Sequence, residues 1–313
     1  MNRTSRHLSF RPFVALTLGL LLSLPAGAGA AARRPVDEHR AADAQGQVEI
    51  VVVSGDVNVV GWDRAELVVT GTIGENVEKL EITTAGKRTT VRVVQKESHV
   101  THWDWGGNSG DAEIVVHVPR ASSLTATLVS TDLKVADVQG NQELQSVSGD
   151  LHVAASREVR IGTVSGDVHL TAGNESKLIE VGTVSGDVEI SGGGGDVTVN
   201  TVSGDGVVSV GSVGRLRTKS VSGDFRVTAG LTAEGRFEAE AVSGDIEITF
   251  AGGVPPAEFD VQSFSGDLTT CFGQKPVREH YGPGSRLSYK EGAGTARVKV
   301  DTKSGDVSIC SKH

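Results

Sequence analysis

The tripeptide Ser-Gly-Asp begins at Ser54, Ser109, Ser148, Ser165, Ser185, Ser203, Ser222, Ser243, Ser265 and Ser304, and Ser130-Thr131-Asp132 is a degenerate copy. From Ser130 to Ser265 the steps are 18, 17, 20, 18, 19, 21 and 22 residues. A period near 20 residues marks a solenoid, whose repeats each bury their apolar edge only against neighbouring copies.

Aligned on the Ser, the copies form columns. The preceding residue is Val53, Val129, Val147, Val164, Val184, Val202, Val221, Val242 or Phe264, a constancy that predicts a core-facing position. Three residues after the Ser stand Val57, Leu133, Leu151, Val168, Val188, Phe225, Ile246, Leu268 and Val307, and apolar residues recur two positions further on. That alternation is a strand's. A second apolar pair precedes each motif, as in Val159/Ile161, Val197/Val199, Phe237/Ala239 and Val298/Val300, with parity shifted by one, so a corner separates two strands. The expected architecture is all-β, a right-handed parallel β-solenoid with rungs of about 17–22 residues and backbone ladders about 4.8 Å apart. Composition agrees: 46 Val against 20 Leu, seven of those Leu in the first 30 residues, favour pleated strands over helices.

Before the regular repeats, residues 47–119 read as a less regular N-terminal β region or first rungs, and residues 31–46 as a linker. Residues 120–313 hold the repeats, with an insertion at 273–297. The Ser109 copy is irregular, since Asn108 and Ala112 replace its apolar neighbours. Residues 1–30 have the form of a signal peptide: Arg3, Arg6 and Arg11, an apolar stretch from Val14 to Leu24, then small residues offering cleavage after Ala30 or Ala32. No later apolar stretch approaches membrane-spanning length. Losing three arginines and no acid takes the net charge from −9 to −12, which disfavours nucleic acid as a partner. An exported protein, periplasmic or at the cell surface, is expected.

The recurring acids are Asp56, Asp150, Asp167, Asp187, Asp205, Asp224, Asp245, Asp267 and Asp306. Bare carboxylates on adjacent rungs would repel by roughly 0.9 kcal/mol per pair even in water. Compensation is expected from corner N–H groups and Ser hydroxyls. Paired-carboxylate catalysis needs two acids in different environments, whereas every rung here repeats one acid. No residue is expected to be catalytic, and neither a cofactor nor a metal is expected. The outward column four residues after the Ser brings His152, His169 and Glu189 onto successive rungs, a candidate binding cluster. Trp103 and Trp105, in a loop that breaks the repeat, are candidate binding aromatics. Cys271 and Cys310 both lie six residues after a motif Ser. Two rungs apart they would be roughly 9.6 Å from each other, too far for a disulfide, but one rung apart they fit. A bond stapling the last rung is therefore expected.

Gly61-Trp62-Asp63-Arg64, Val118-Pro119 and the Val-Ser-Gly-Asp-Val series through Ser304 resemble the bacterial putative adhesin family of exported repeat domains, itself similar to the head domain of auto-transporter adhesins. The resemblance covers roughly residues 45–311. It implies a non-catalytic binding or adhesion scaffold at the cell envelope, with an envelope polysaccharide or protein as partner. Two other functions fit a solenoid: a polysaccharide-acting β-helix enzyme, and an envelope-sensing or assembly component associating with its own kind through exposed terminal strands.

Overall fold

The structure, a computed structural model, describes residues 33–96, 112–278 and 284–312. The expected leader, the Trp103/Trp105 loop and the Ser109 copy lie outside these residues. The strands are β1 (Arg34–Ala41), β2 (Gln47–Trp62), β3 (Glu66–Ile73), β4 (Val77–Ala85), β5 (Arg88–Gln95), β6 (Ala112–Pro119), β7 (Ser123–Ala136), β8 (Gln142–Ser148), β9 (Leu151–Ala155), β10 (Glu158–Ser165), β11 (Val168–Ala172) and β12 (Leu178–Ser185). They continue as β13 (Val188–Gly192), β14 (Gly195–Ser203), β15 (Gly206–Ser222), β16 (Phe225–Ser243), β17 (Ile246–Ala251), β18 (Ala257–Ser265), β19 (Leu268–Thr270), β20 (Val277–Arg278), β21 (Ser285–Lys290), β22 (Ala296–Ser304) and β23 (Val307–Lys312).

Each regular repeat gives a leading strand that ends at the motif Ser and a trailing strand that starts three residues after it. Leading strands stack in parallel with their serines aligned, through β2, β7, β8, β10, β12, β14, β15 and β16. Trailing strands stack through β2, β7, β9, β11, β13, β15, β16 and β17. Between the two ladders lies one apolar core, including Val159, Ile161, Val168, Leu170, Phe225, Phe237 and Phe259, all buried.

The corner needs glycine. Gly186 has φ +150°, and a Cβ there would stand 2.3 Å from the carbonyl oxygen of Gly166 on the adjacent rung. Neither the angle nor the space admits a side chain.

Rung order departs from chain order at the C-terminal end. β22 lies between β16 and β18, and β23 between β17 and β19, so Ser304 sits between Ser243 and Ser265. The last rung in sequence is thus the penultimate one in space. It brings Cys310 beside Cys271, Cα–Cα 4.8 Å, in a disulfide spanning 39 residues. A loop of that length corresponds to about 4 kcal/mol of stabilisation by loop-closure entropy. The bond joins adjacent rungs as expected, but the rung it staples is interior. The insertion forms an antiparallel pair, β20 with β21, and β21 runs antiparallel along β18, closing the stack. Beneath it Phe259 contacts Phe250, Phe272 and Tyr289 at centroid distances of 5.7–6.1 Å.

At the other end, β5 and β6 pair in parallel with the two halves of β2, and antiparallel β4, β3 and β1 cover them. Ile114, not Ala112, stands beside Val57. Where a linker is expected, β1 pairs along β3 from Arg34↔Ile73 to Ala41↔Glu66. Its polar sequence reads as a linker, yet main-chain pairing makes no demand on side-chain polarity.

The column before each Ser corrects the sequence reading. These residues do not face the core: the eight valines are 40–51% exposed and Phe264 68% exposed. The leading strand runs through this position to the Ser before turning, so its alternation places the residue one earlier inside. That inner column is Leu128, Ser146, Thr163, Thr183, Thr201, Ser220, Ala241, Thr302 and Ser263. The hydroxyls of Thr163, Thr183, Thr201, Ser220 and Thr302 are buried with no hydrogen-bond partner among the described residues.

Candidate binding face

Three outward columns cover the leading ladder. Nearest the corner stands the aliphatic ridge Val53, Val129, Val147, Val164, Val184, Val202, Val221 and Val242, continued by Lys303 and Phe264. A row of at least eight exposed aliphatic side chains at strand spacing is the kind of contiguous apolar surface that marks an interaction site. The middle column reads Thr127, Gln145, Gly162, Gly182, Asn200, Lys219, Glu240, Asp301 and Gln262. A Cβ on Gly162 or Gly182 would meet nothing within 4 Å. The two glycines therefore floor an open groove of about 750 Å³, walled by Val164 and Val184 on one side and Arg160 and Glu180 on the other.

The third column is charged and alternates: Glu143, Arg160, Glu180, Thr198, Arg217, Glu238, Lys299, Asp260. Within the chain Arg160 Nε lies 3.5 Å from Glu180, Arg217 Nε donates to Glu238 at 2.9 Å, and in the middle column Lys219 Nζ donates to Glu240 at 2.7 Å. The hydrogen bond from Arg217 holds the Glu238 carboxyl below the usual carboxylate range, against partial desolvation. Hydrogen bonding to Asp301 raises the Lys299 ammonium. Both shifts favour the charged forms of these two groups.

The aspartates form a different device on the corner. Asp150 N–H donates to Asp132 Oδ1 at 2.9 Å, and the same bond recurs for Asp167 on Asp150, Asp187 on Asp167, Asp205 on Asp187, Asp224 on Asp205 and Asp245 on Asp224, at 2.8–3.1 Å. It continues through the intercalated rung: Asp306 N–H donates to Asp245 and Asp267 N–H to Asp306, both at 2.7 Å. The terminal Asp267 carboxylate accepts from Arg278 of β20. Each carboxylate thus takes up the amide of the next rung. The Ser148 hydroxyl, also expected as a donor to the aspartates, donates instead to the Val129 carbonyl at 3.1 Å. Asp187→Ala should lower stability by about 1 kcal/mol in urea denaturation, and Asp187→Asn by much less because its amide oxygen still accepts. Equal losses would show that the charge, not the hydrogen bond, matters.

On the trailing ladder the predicted trio does come together. The rings of His152 and His169 stack 4.8 Å apart, and His169 Nδ1 lies 3.1 Å from Glu189 Oε2, all on an exposed surface. No group of three or more His, Cys, Asp or Glu side chains among the described residues is arranged to hold a metal ion. Trp62 is anchored by Nε1–H donating to the Glu66 carbonyl at 2.8 Å, with the Arg64 guanidinium 4.8 Å from its ring centroid. The sequence reading missed the charged column and the glycine-floored groove. Their one signal was the break at Gly162 and Gly182 in a column otherwise filled by side chains.

Stacked parallel rungs with a patterned outer face define a repeat protein of the β-solenoid class. The match to a family model spans residues 47–310, and the chain belongs to the Toastrack DUF4097 family. No curated protein matches the sequence. The chain is similar to solved structures at low identity. The "putative lipid binding protein" of Parabacteroides distasonis is 13% identical with TM-score 0.47, over 88% of this chain and 96% of that one. The "putative adhesin" of Bacteroides fragilis is 10% identical with TM-score 0.42, over 89% and 98%. The "putative cell adhesion protein" of Clostridium sporogenes is 12% identical with TM-score 0.26, over 89% and 100%. Among the described residues no helix is long and apolar enough to cross a membrane.

Proposed function

We propose that this chain is an exported, non-catalytic binding or adhesion scaffold of the bacterial cell envelope, a right-handed coil whose leading-ladder outer face is its binding surface. The handedness follows the rule that parallel crossovers obey almost without exception. The observation that carries the functional reading is the ridge of valines held 40–51% exposed on consecutive rungs beside an open groove. A soluble chain gains nothing from exposing such a row unless something covers it. The aspartates, the most repeated acids, are engaged in holding rung to rung, which leaves them poorly suited to proton transfer.

The test uses the exported chain on a panel of polysaccharides and on envelope fractions from cells that do and do not express it, scoring retained protein and released sugar ends. Retention without release, reduced at least tenfold by Val164→Lys with Val184→Lys, is the expected outcome. Release of sugar ends, or retention indifferent to those substitutions, would overturn the reading.

A further inference from the structure

We infer that the partner of this face is a second copy of the same chain, packed face to face with the two solenoids antiparallel about a two-fold axis through the Thr198–Asn200–Val202 rung. This names the occupant of the face proposed above and rests on that reading.

An axis lying along the strand direction in the interface sets each column against itself and reverses rung order. In the charged column, Thr198 then meets its own counterpart. Glu180 meets Arg217 of the other copy, Arg160 meets Glu238, and Glu143 meets Lys299. Every charged position within three rungs of the axis finds the opposite sign, and the symmetry doubles these to about six cross pairs. The match is complete in this register alone among the near ones, since moving the axis by a whole rung sets Arg217 or Glu180 against its own counterpart. Moving the axis by half a rung puts Arg160 against Arg217 and Glu143 against Glu238, or Glu180 against Glu238 and Arg160 against Lys299. Such like-charge contacts specify against the slipped forms.

The middle column matches in shape as well. Gly182 faces Lys219 of the other copy and Gly162 faces Glu240, so the two positions without side chains receive two of the longest. Charge agrees again, because the entering Lys219 meets the groove wall at Glu180 and the entering Glu240 meets it at Arg160. On the ridge, Val184 faces Val221, Val164 faces Val242, and Val202 faces itself. Seven rungs by three columns cover roughly 600 Å² per copy, about 1,200 Å² in all, within the range of specific interfaces. Ion pairs closed within the chain account for the alternation of charge, but not for its inversion about Thr198 or for the two glycines standing opposite Lys219 and Glu240.

Sedimentation of the purified exported chain across a dilution series should give twice the monomer mass, falling to one on dilution. Gly182→Arg occupies open space in the monomer but fills the groove and faces Lys219, so it should abolish the dimer while leaving the far-ultraviolet spectrum unchanged. Glu180→Lys and Arg217→Glu should each weaken association at least tenfold, and the double variant should regain most of it. The two residues lie two rungs apart within one chain, so recovery can come only from contact between copies. Since both native cysteines are bonded to each other, Thr198→Cys supplies a single thiol on the axis. It should give linked dimers with a short bis-maleimide, whereas Val207→Cys on the trailing ladder should not.

A monomer at all concentrations, a dimer indifferent to Gly182→Arg, or no linkage through Thr198→Cys would overturn the inference. If a monomer is still retained on envelope fractions from cells lacking the chain, the binding-face reading stands and only the identity of the partner fails. If retention is lost as well, both fail.

Discussion

Ending the chain after Gly294 should collapse the C-terminal end of the solenoid, with the thermal transition falling by about 20 °C or more and residues 257–294 becoming protease-sensitive. The removed segment contains β22 and β23, and these strands are interior. Without them β18 and β19 lose their only parallel partners among the described residues, and β16 and β17 lose the rung that covers them. Ala296, Val298, Val300, Val307 and Ile309, all buried, go with the segment. At roughly 1.5–3 kcal/mol for each large side chain the loss is about 8 kcal/mol or more, comparable with the net stability of a whole domain. Each kcal/mol moves the midpoint of a chain this size by about 2–4 °C. Cys271 would also be left without its partner. A truncated chain that melts normally and resists protease would contradict the rung order. It follows that trimming the terminus is a poor test of association through an exposed last strand, because β23 is paired on both sides.

Gly186→Val should cost on the order of 3 kcal/mol or more, in spite of valine being the commonest residue in the chain and the better strand former. Its Cβ would stand 2.3 Å from the Gly166 carbonyl oxygen, and its φ of +150° is one that side chains rarely adopt. The rungs could accommodate it only by parting, which breaks the Asp187–Asp167 and Asp205–Asp187 bonds on either side. Ser185→Ala, one residue earlier and exposed, should change stability by less than about 0.5 kcal/mol. Chemical denaturation of the two variants side by side decides the matter. A near-neutral Gly186→Val would mean that the corner is not as tight as its geometry requires.

Much of the fold was legible because the repeat is strict. The motif spacing yields the stacked strands, and the apolar columns at Val168/Leu170 and Val159/Ile161 are inside as their alternation dictates. The error at Val164 and its equivalents arose from taking the constancy of an apolar column as a sign of burial, when the leading strand's own alternation from Val159 and Ile161 turns position 164 outward. Thr163, Thr183 and Thr201 were equally regular, but a hydroxyl column is an unexpected lining for a core. The intercalation of β22 was not legible, since each copy carries the same motif and nothing local tells one rung which neighbour it will take. For that reason the candidate face was only partly legible. Its charge order is complete only when Lys299 is known to stand between Glu238 and Asp260, residues that precede it by tens of positions in the chain. The strand at Arg34–Ala41 was missed because it is held by its backbone and carries little apolar signal.

The aspartate bonds all point one way, each rung's amide reaching back to the carboxylate of the rung before it. A stack built like this has unlike ends, in the manner of a filament with a growing tip: one end has used its acceptor, and the other would still present one to any further rung, including one from another molecule. Arg278 occupies that last acceptor on Asp267, and β21 lies across the adjoining strand. The hairpin therefore works as a terminator, confining the ladder to a single molecule and making end-to-end polymerisation the defect to look for when Arg278 is lost.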